Sequence, residues 1–113
     1  MIIGIGCDIV KIERIEKAMS HEGFLRILTH KEYELYQGIQ GKRQIEWLAG
    51  RYAAKEAIYK AIHTYHDCVL SDIEILCNTD GSPVCQCFDC EVLISISHEH
   101  EYAIAYATAV SKE

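Results

Sequence analysis

Arg51, Lys55, Glu56 and Lys60 crowd into one stretch, Trp47-Leu48-Ala49-Gly50-Arg51-Tyr52-Ala53-Ala54-Lys55-Glu56-Ala57-Ile58-Tyr59-Lys60-Ala61, and what each can do depends on where a helix would point it. Glu56 and Lys60 form an i,i+4 pair. As a plain surface ion pair it is worth well under ~1 kcal/mol. Ala49 and Ala53 lie beside it, however, and side chains that small let another backbone or a ligand come close. Arg51 falls inside the apolar arc of Trp47, Ile58 and Ile62, extended by Ala54 and Ala61, and Lys55 lies at its edge. Cations do not normally sit on the core side of a helix; stems that snorkel past the core to water are the ordinary account of them.

Other chemistry-bearing residues lie outside this stretch. Asp8 ends an apolar strand whose Gly4 and Gly6 share its face, which leaves open space beside a carboxylate. The same aspartate would equally cap a following helix. His98 falls at a strand end, where it either orients a ligand or is a surface turn histidine. His98-Glu99-His100-Glu101 is not the zinc-protease pattern, which needs its histidines one helical turn apart. Cys85, Cys87 and Cys90 offer three thiolates, but Cys77 and His98 lie outside the usual zinc-ribbon intervals. With no fourth ligand to be read, these cysteines are expected to be reduced and metal-free. A Cys85–Cys87 disulfide is disfavoured because alternate residues of a strand are poorly placed for bridge geometry.

The elements that must position these residues follow from periodicity. The helix formers around Trp47 predict one long helix from Gln44 to about Thr64. Ile2 to Val10 alternates as a strand, and Ile12, Ile15 and Met19 then recur at helical spacing, with Lys11, Arg14 and Lys17 beside Glu13 and Glu16 on the solvated side. Phe24, Leu25, Ile27 and Leu28 form a short apolar segment. Thr29-His30-Lys31-Glu32 reads as a capping box opening a helix through Tyr36, and Gln37 to Arg43 as a loop. Strands are predicted at Leu70 to Cys77, Glu91 to Ser97 and Tyr102 to Val110, with a turn at Asp80-Gly81-Ser82-Pro83. In the last strand Ala103, Ala105, Ala107 and Ala109 share one face, which lets a helix lie unusually close. The alanines of the long helix are its natural partner. The predicted fold is therefore α+β, an antiparallel sheet packed on one long helix plus short helices.

A chain of 113 residues is one domain, 1–113, large enough for a modest core. A net charge of −6 argues against nucleic acid as a general partner. No apolar run reaches the ~20 residues of a membrane span, and Met1-Ile2-Ile3-Gly4 lacks the basic start of a signal peptide. A cytoplasmic protein with free thiols is expected, with neither nucleic acid nor membrane as partner.

Taken in order, Gly4-Ile5-Gly6-Cys7-Asp8-Ile9-Val10, Arg14-Ile15, Leu28-Thr29, Leu48 to Ala57, Asp72-Ile73-Glu74-Ile75 and Ser95-Ile96-Ser97-His98 closely resemble the holo-acyl-carrier-protein synthase family, the small bacterial-type phosphopantetheinyl transferases. The resemblance implies Mg²⁺-dependent transfer of the 4′-phosphopantetheine arm from coenzyme A to a serine of an apo acyl carrier protein, with release of adenosine 3′,5′-bisphosphate. Asp8 and Glu56 match the family's metal-binding carboxylates, and Lys60 the lysine that stabilises the diphosphate and leaving group. Arg43 and Arg51 match cations that bind nucleotide phosphates, with Lys55 a weaker match for the same work. Ser97 and His98 match the strand end at the coenzyme pocket. The base for the serine is implied to be Glu56 or a water on the metal, rather than a histidine. Arg14, with Lys11, Lys17 and Arg26, resembles the docking surface for the acidic carrier protein, and a homotrimer with sites between subunits is implied. Two stretches depart from the pattern: Ala61 to Cys68, which replaces a glycine-containing turn, and cysteine-rich Cys85 to Cys90. The alternatives from other classes are a non-catalytic module that binds carrier protein or coenzyme A, and a thiolate metal-binding protein built on Cys85, Cys87 and Cys90.

Overall fold

The structure, a computed structural model, describes residues 1–112, and of Gln86 only the backbone. Strand β1 (Ile2–Lys11) leads into helix α1 (Ile12–Ala18), a 3-10 turn (Phe24–Ile27), α2 (His30–Gln37) and the long α3 (Lys42–Ile62). A second 3-10 turn (Leu70–Asp72) precedes strands β2 (Leu76–Cys77), β3 (Pro83–Cys87), β4 (Cys90–His98) and β5 (Tyr102–Ser111). The strands form one antiparallel sheet in the order β1-β5-β4-β3-β2, and α3 lies across one face of it. This is the α+β architecture expected. Helix α3 begins and ends two residues earlier than predicted, within the usual uncertainty of helix ends.

The contact between helix and sheet depends on the absence of side chains. Ala103, Ala105, Ala107 and Ala109 of β5 are buried against α3, whose own Ala53, Ala54, Ala57 and Ala61 are buried in turn. On β1 the approach is closer still: a Cβ added to Gly4 would lie 1.8 Å from the Ala61 carbonyl oxygen, and one on Gly6 1.9 Å from that of Ala57. The glycines thus clear room for helix backbone, where the sequence had suggested open space beside a carboxylate. The opposite face of the sheet is bare. Ile5 and Ile9 of β1, Leu93 of β4 and Tyr102, Ile104 and Tyr106 of β5 are exposed there.

The predicted strand over Leu70 to Cys77 forms only at Leu76–Cys77. Ile73 and Ile75 are buried as the alternation required, but the backbone around them bonds elsewhere. The carbonyls of Leu70 and Ile73 accept from the Lys55 ammonium, and the Ile75 N–H donates to Glu32 Oε2 at 2.8 Å. Polar groups consumed by a buried ion pair cannot also join a ladder. The cysteine-rich stretch is a β3–β4 hairpin whose tip holds Phe88 at φ 58. All six cysteines are free; Cys85 and Cys87 Sγ lie 3.0 Å apart, and Cys90 Sγ donates to the Cys87 carbonyl at 3.2 Å.

Candidate active site

Asp8 reaches the helix side of β1, and Glu56 leaves α3 toward it. Both line a cleft of about 190 Å³ together with Arg14, Tyr52 and Phe24. Helix α1 starts only at Ile12, with Lys11 at its cap position and no side-chain cap bond, so Asp8 is free of the capping role. Lys60 Nζ donates to Asp8 Oδ1 at 3.2 Å and to the Cys7 carbonyl at 2.9 Å. The i,i+4 pairing of Lys60 with Glu56 gives way to this longer-range contact, because Gly6 lets β1 approach within reach of the ammonium. Glu56 is left half-buried, with no hydrogen-bonding cation among the described residues. Burial first, and the charge of Asp8 second, push its carboxyl above the usual carboxylate range, while Lys60 pulls it back. Two carboxylates facing one small space, one of them raised by the other, is what a hard cation needs from a protein.

The second cluster lies on another side of α3. Arg51 and Glu56 stand five positions apart, which at ~100° per residue sets them about 140° apart around the helix. Arg51 is buried, its guanidinium 4.7 Å over the Trp47 ring and its NH2 nitrogen 3.4 Å from Cys77 Sγ. Its Nε is the one buried side-chain nitrogen or oxygen without a partner among the described residues. Arg51 and Arg43 line a cleft of about 300 Å³ with Glu46, Trp47, Pro83, Ile96 and His98. The structure thus brings Arg43, Arg51 and His98 together around one cleft.

Two expected members of that cluster stand elsewhere. Lys55 is fully buried on Glu32, 2.7 Å from Oε1, and also donates to the carbonyls of Leu70 and Ile73. Burial depresses its ammonium below the ordinary lysine range and Glu32 pulls it back up; all its donors are spent inside the core, so it has none for a phosphate. Ser97 pairs with Ile104 across β4–β5 and is exposed on the bare face, because alternate residues of a strand point oppositely and His98 takes the helix side. Of the basic residues expected to dock the carrier protein, Lys11, Arg14, Lys17 and Arg26 are all exposed, but only Arg14 borders the carboxylate cleft. Lys17 pairs with Glu13 at 3.2 Å.

The family model of the 4′-phosphopantetheinyl transferase superfamily matches residues 4–108. The chain belongs to that family. It is accordingly an enzyme, a phosphopantetheinyl transferase of the holo-acyl-carrier-protein synthase kind. A holo-[acyl-carrier-protein] synthase of Geobacillus sp. (strain WCH70) is 48% identical over 111 residues, 93% of each chain. One from Streptococcus suis (strain 05ZYH33) is 42% identical over 118 residues, 100% of this chain and 99% of its own. Among solved structures, a holo-(acyl-carrier-protein) synthase from Bacillus anthracis in complex with CoA (3′,5′-ADP) superposes with a TM-score of 0.90 at 40% identity, covering 99% of both chains.

Three residues of this transferase's clefts and their supports escaped the sequence reading. Tyr52 lines the carboxylate cleft, and its hydroxyl is pushed up by burial first and then by Glu56 and Asp8, against Arg14. Its i,i+4 relation to Glu56 was the available signal. Trp47 was assigned to the core, yet it is the platform under Arg51. Glu32 was absorbed by the capping box, which is present with both halves formed, and so its second oxygen and its burial went unread.

Proposed function

We propose that this phosphopantetheinyl transferase moves the 4′-phosphopantetheine arm of coenzyme A to a serine of an apo acyl carrier protein and releases adenosine 3′,5′-bisphosphate. The serine oxygen attacks the phosphorus on the pantetheine side of the diphosphate. A new P–O bond forms, the bridging P–O bond breaks, and the electron pair leaves with the adenosine bisphosphate. The observation that supports this most is the convergence of Asp8, Glu56 and Lys60 from β1 and α3 on one cleft.

Phosphoryl transfer asks a protein for positioning and charge stabilisation. Asp8 and Glu56 would hold Mg²⁺, which supplies neutralisation of the diphosphate's negative charge when bound. Lys60, held on Asp8, sets a second positive charge beside the leaving oxygen. Glu56, with its raised carboxyl, is the near acceptor for the serine proton. Arg43 and Arg51, which line one cleft, take the nucleotide phosphates, and His98 orients the coenzyme. Arg14, at the edge of the carboxylate cleft, draws the acidic carrier protein, helped by Lys11, Lys17 and Arg26.

The two clefts lie on different sides of α3, and Ser97 stands on the bare sheet face. One coenzyme spanning carboxylates and arginines therefore calls for two copies, and a homotrimer closed by heterologous interfaces through the apolar face supplies them. Light scattering is expected to return three chains per particle; an active monomer at working concentration would remove the shared site. The chain acts as one transferase domain in the cytoplasm, and no described helix is long and apolar enough to cross a membrane.

The deciding experiment is mass spectrometry of an apo carrier protein incubated with coenzyme A, Mg²⁺ and the enzyme. Addition of one phosphopantetheine arm to the carrier is expected. Unmodified carrier, with coenzyme A still bound by the protein, would return the chain to the non-catalytic binding module.

A further inference from the structure

The two stretches that depart from the family pattern, 61–68 and 85–90, meet in space. His66 stacks on Phe88, ring centroids 4.6 Å apart and 13° from parallel, and its Nε2 lies 2.8 Å from Asp89 Oδ1. Cys90 comes next on the hairpin, and its sulfur, the imidazole nitrogen and the Asp89 oxygen all lie within 4.8 Å of one another. We propose that His66, Asp89 and Cys90 bind one transition-metal ion of the Zn²⁺ class, against the metal-free state expected of Cys90 from its spacing, and that this ion ties the segment after α3 to the tip of the β3–β4 hairpin.

The donor set decides the class of ion. One imidazole nitrogen, one carboxylate oxygen and one thiolate sulfur are the ligands zinc takes at ~2.0 to 2.3 Å, which leaves ligand atoms about 3.4 Å apart in a tetrahedron. The 2.8 Å nitrogen–oxygen separation must open slightly, and the wider separations, none above 4.8 Å, must contract. A hard ion such as Mg²⁺ has no use for the sulfur, so this site and the Asp8–Glu56 cleft select different metals. On binding, Cys90 loses its thiol proton to solvent, gives up its hydrogen bond to the Cys87 carbonyl, and donates a sulfur electron pair to the ion. His66 donates its Nε2 lone pair as neutral imidazole, and Asp89, exposed at the tip, supplies the oxygen. Water fills the fourth position.

The hairpin explains how adjacent residues both reach His66. Phe88 holds φ 58, an uncommon state for a bulky side chain. That left-handed step turns the chain so that Asp89 and Cys90 follow on the side where the imidazole covers the Phe88 ring. The thiols of Cys85 and Cys87 share a hydrogen bond, sulfurs 3.0 Å apart, and serve as the internal control.

The test is titration of the full-length, metal-free protein with Co²⁺, followed by absorption. A thiolate-to-cobalt charge-transfer band that saturates at one ion per chain, and that Zn²⁺ displaces, is the expected result. His66→Ala and Asp89→Asn should each abolish saturation at one equivalent, and Cys87→Ser and Asp8→Asn should retain it. Because Cys90→Ser alters a buried position, the exposed Asp89 and half-buried His66 keep the test independent of that variant's folding. Zn²⁺ at a hundredfold excess over its dissociation constant should raise the melting temperature by on the order of 10 °C in the wild type and leave His66→Ala unmoved. Absence of the charge-transfer band overturns the proposal, as does a band that survives His66→Ala and disappears in Cys87→Ser, which would place the metal on the dithiol.

Discussion

Lys55 and Glu56 are neighbours in sequence and opposites in environment. Lys55 turns into the core, where its ammonium donates one hydrogen bond to Glu32 and others to the carbonyls of Leu70 and Ile73. Glu32 in turn spends its oxygens on the Thr29 and Ile75 N–H groups as well as on Lys55. Every polar atom of that pair is satisfied, and the pair fixes the segment 70–75 against α2 and α3. Glu56 turns away from that pair, into a cleft where Asp8 opposes its charge and no hydrogen-bond donor among the described residues meets it. A saturated ion pair is a piece of architecture. An unsaturated carboxylate pair is an invitation to a ligand, and burial by itself does not distinguish them: what decides is whether the hydrogen-bonding capacity is used up.

The largest effect is expected from Glu56→Gln. The substitution keeps the shape and removes the charge, so carrier conversion should fall by orders of magnitude or require far more Mg²⁺, since metal-assisted charge stabilisation is worth several kcal/mol of barrier. It also relieves the repulsion from Asp8, so in metal-free buffer the variant should melt no lower than wild type. Near-wild-type turnover across a Mg²⁺ titration would take Glu56 out of the catalytic site.

Lys55→Met should do the reverse. It strands Glu32 in the core and costs about 3 to 5 kcal/mol of stability, read by denaturant unfolding, while the Mg²⁺ requirement of the surviving folded enzyme stays as in wild type. A changed metal requirement would join the two regions that the structure separates. Smaller again is Gly6→Ala. Its Cβ meets the Ala57 carbonyl at 1.9 Å, α3 must back away from β1, and overpacking of this kind costs ~1 to 3 kcal/mol. Here stability and turnover should fall together, because the same shift parts Asp8 from Glu56 and Lys60; a loss of stability alone would mean that the cleft tolerates the movement. The mildest change is Lys17→Ala, which removes an exposed pair with Glu13 worth ~0.5 kcal/mol or less. Unfolding should hardly move, and what effect there is should appear as weaker carrier-protein association that fades with added salt.

How far each feature was legible depended on how local it is. The alanine face of β5 and the buried residues of α3 were read from periods of two and 3.6, because backbone geometry alone sets which way a side chain points. The capping box at Thr29 and Glu32 is local in the same sense, and both of its halves are formed. The sheet order placed Asp8 near the helix, and the family motifs brought Glu56 and Lys60 into view with it. Less legible was the segment from Leu70 to Cys77, where correct alternation at Ile73 and Ile75 concealed the fact that the backbone bonds to side chains instead of to a neighbouring strand.

Element types, buried faces and the residue kinds available for phosphoryl transfer follow from spacing along one chain. Tertiary packing chose the partners. It gave Lys55 to Glu32, took Lys60 from Glu56 to Asp8, set Gly4 and Gly6 against carbonyls of α3, and brought His66 to Asp89 and Cys90. The physical reason is that a charged or small residue announces what it can bond to or make room for, but the identity of the group it meets depends on how distant segments pack, and that choice leaves no period in the sequence to be read.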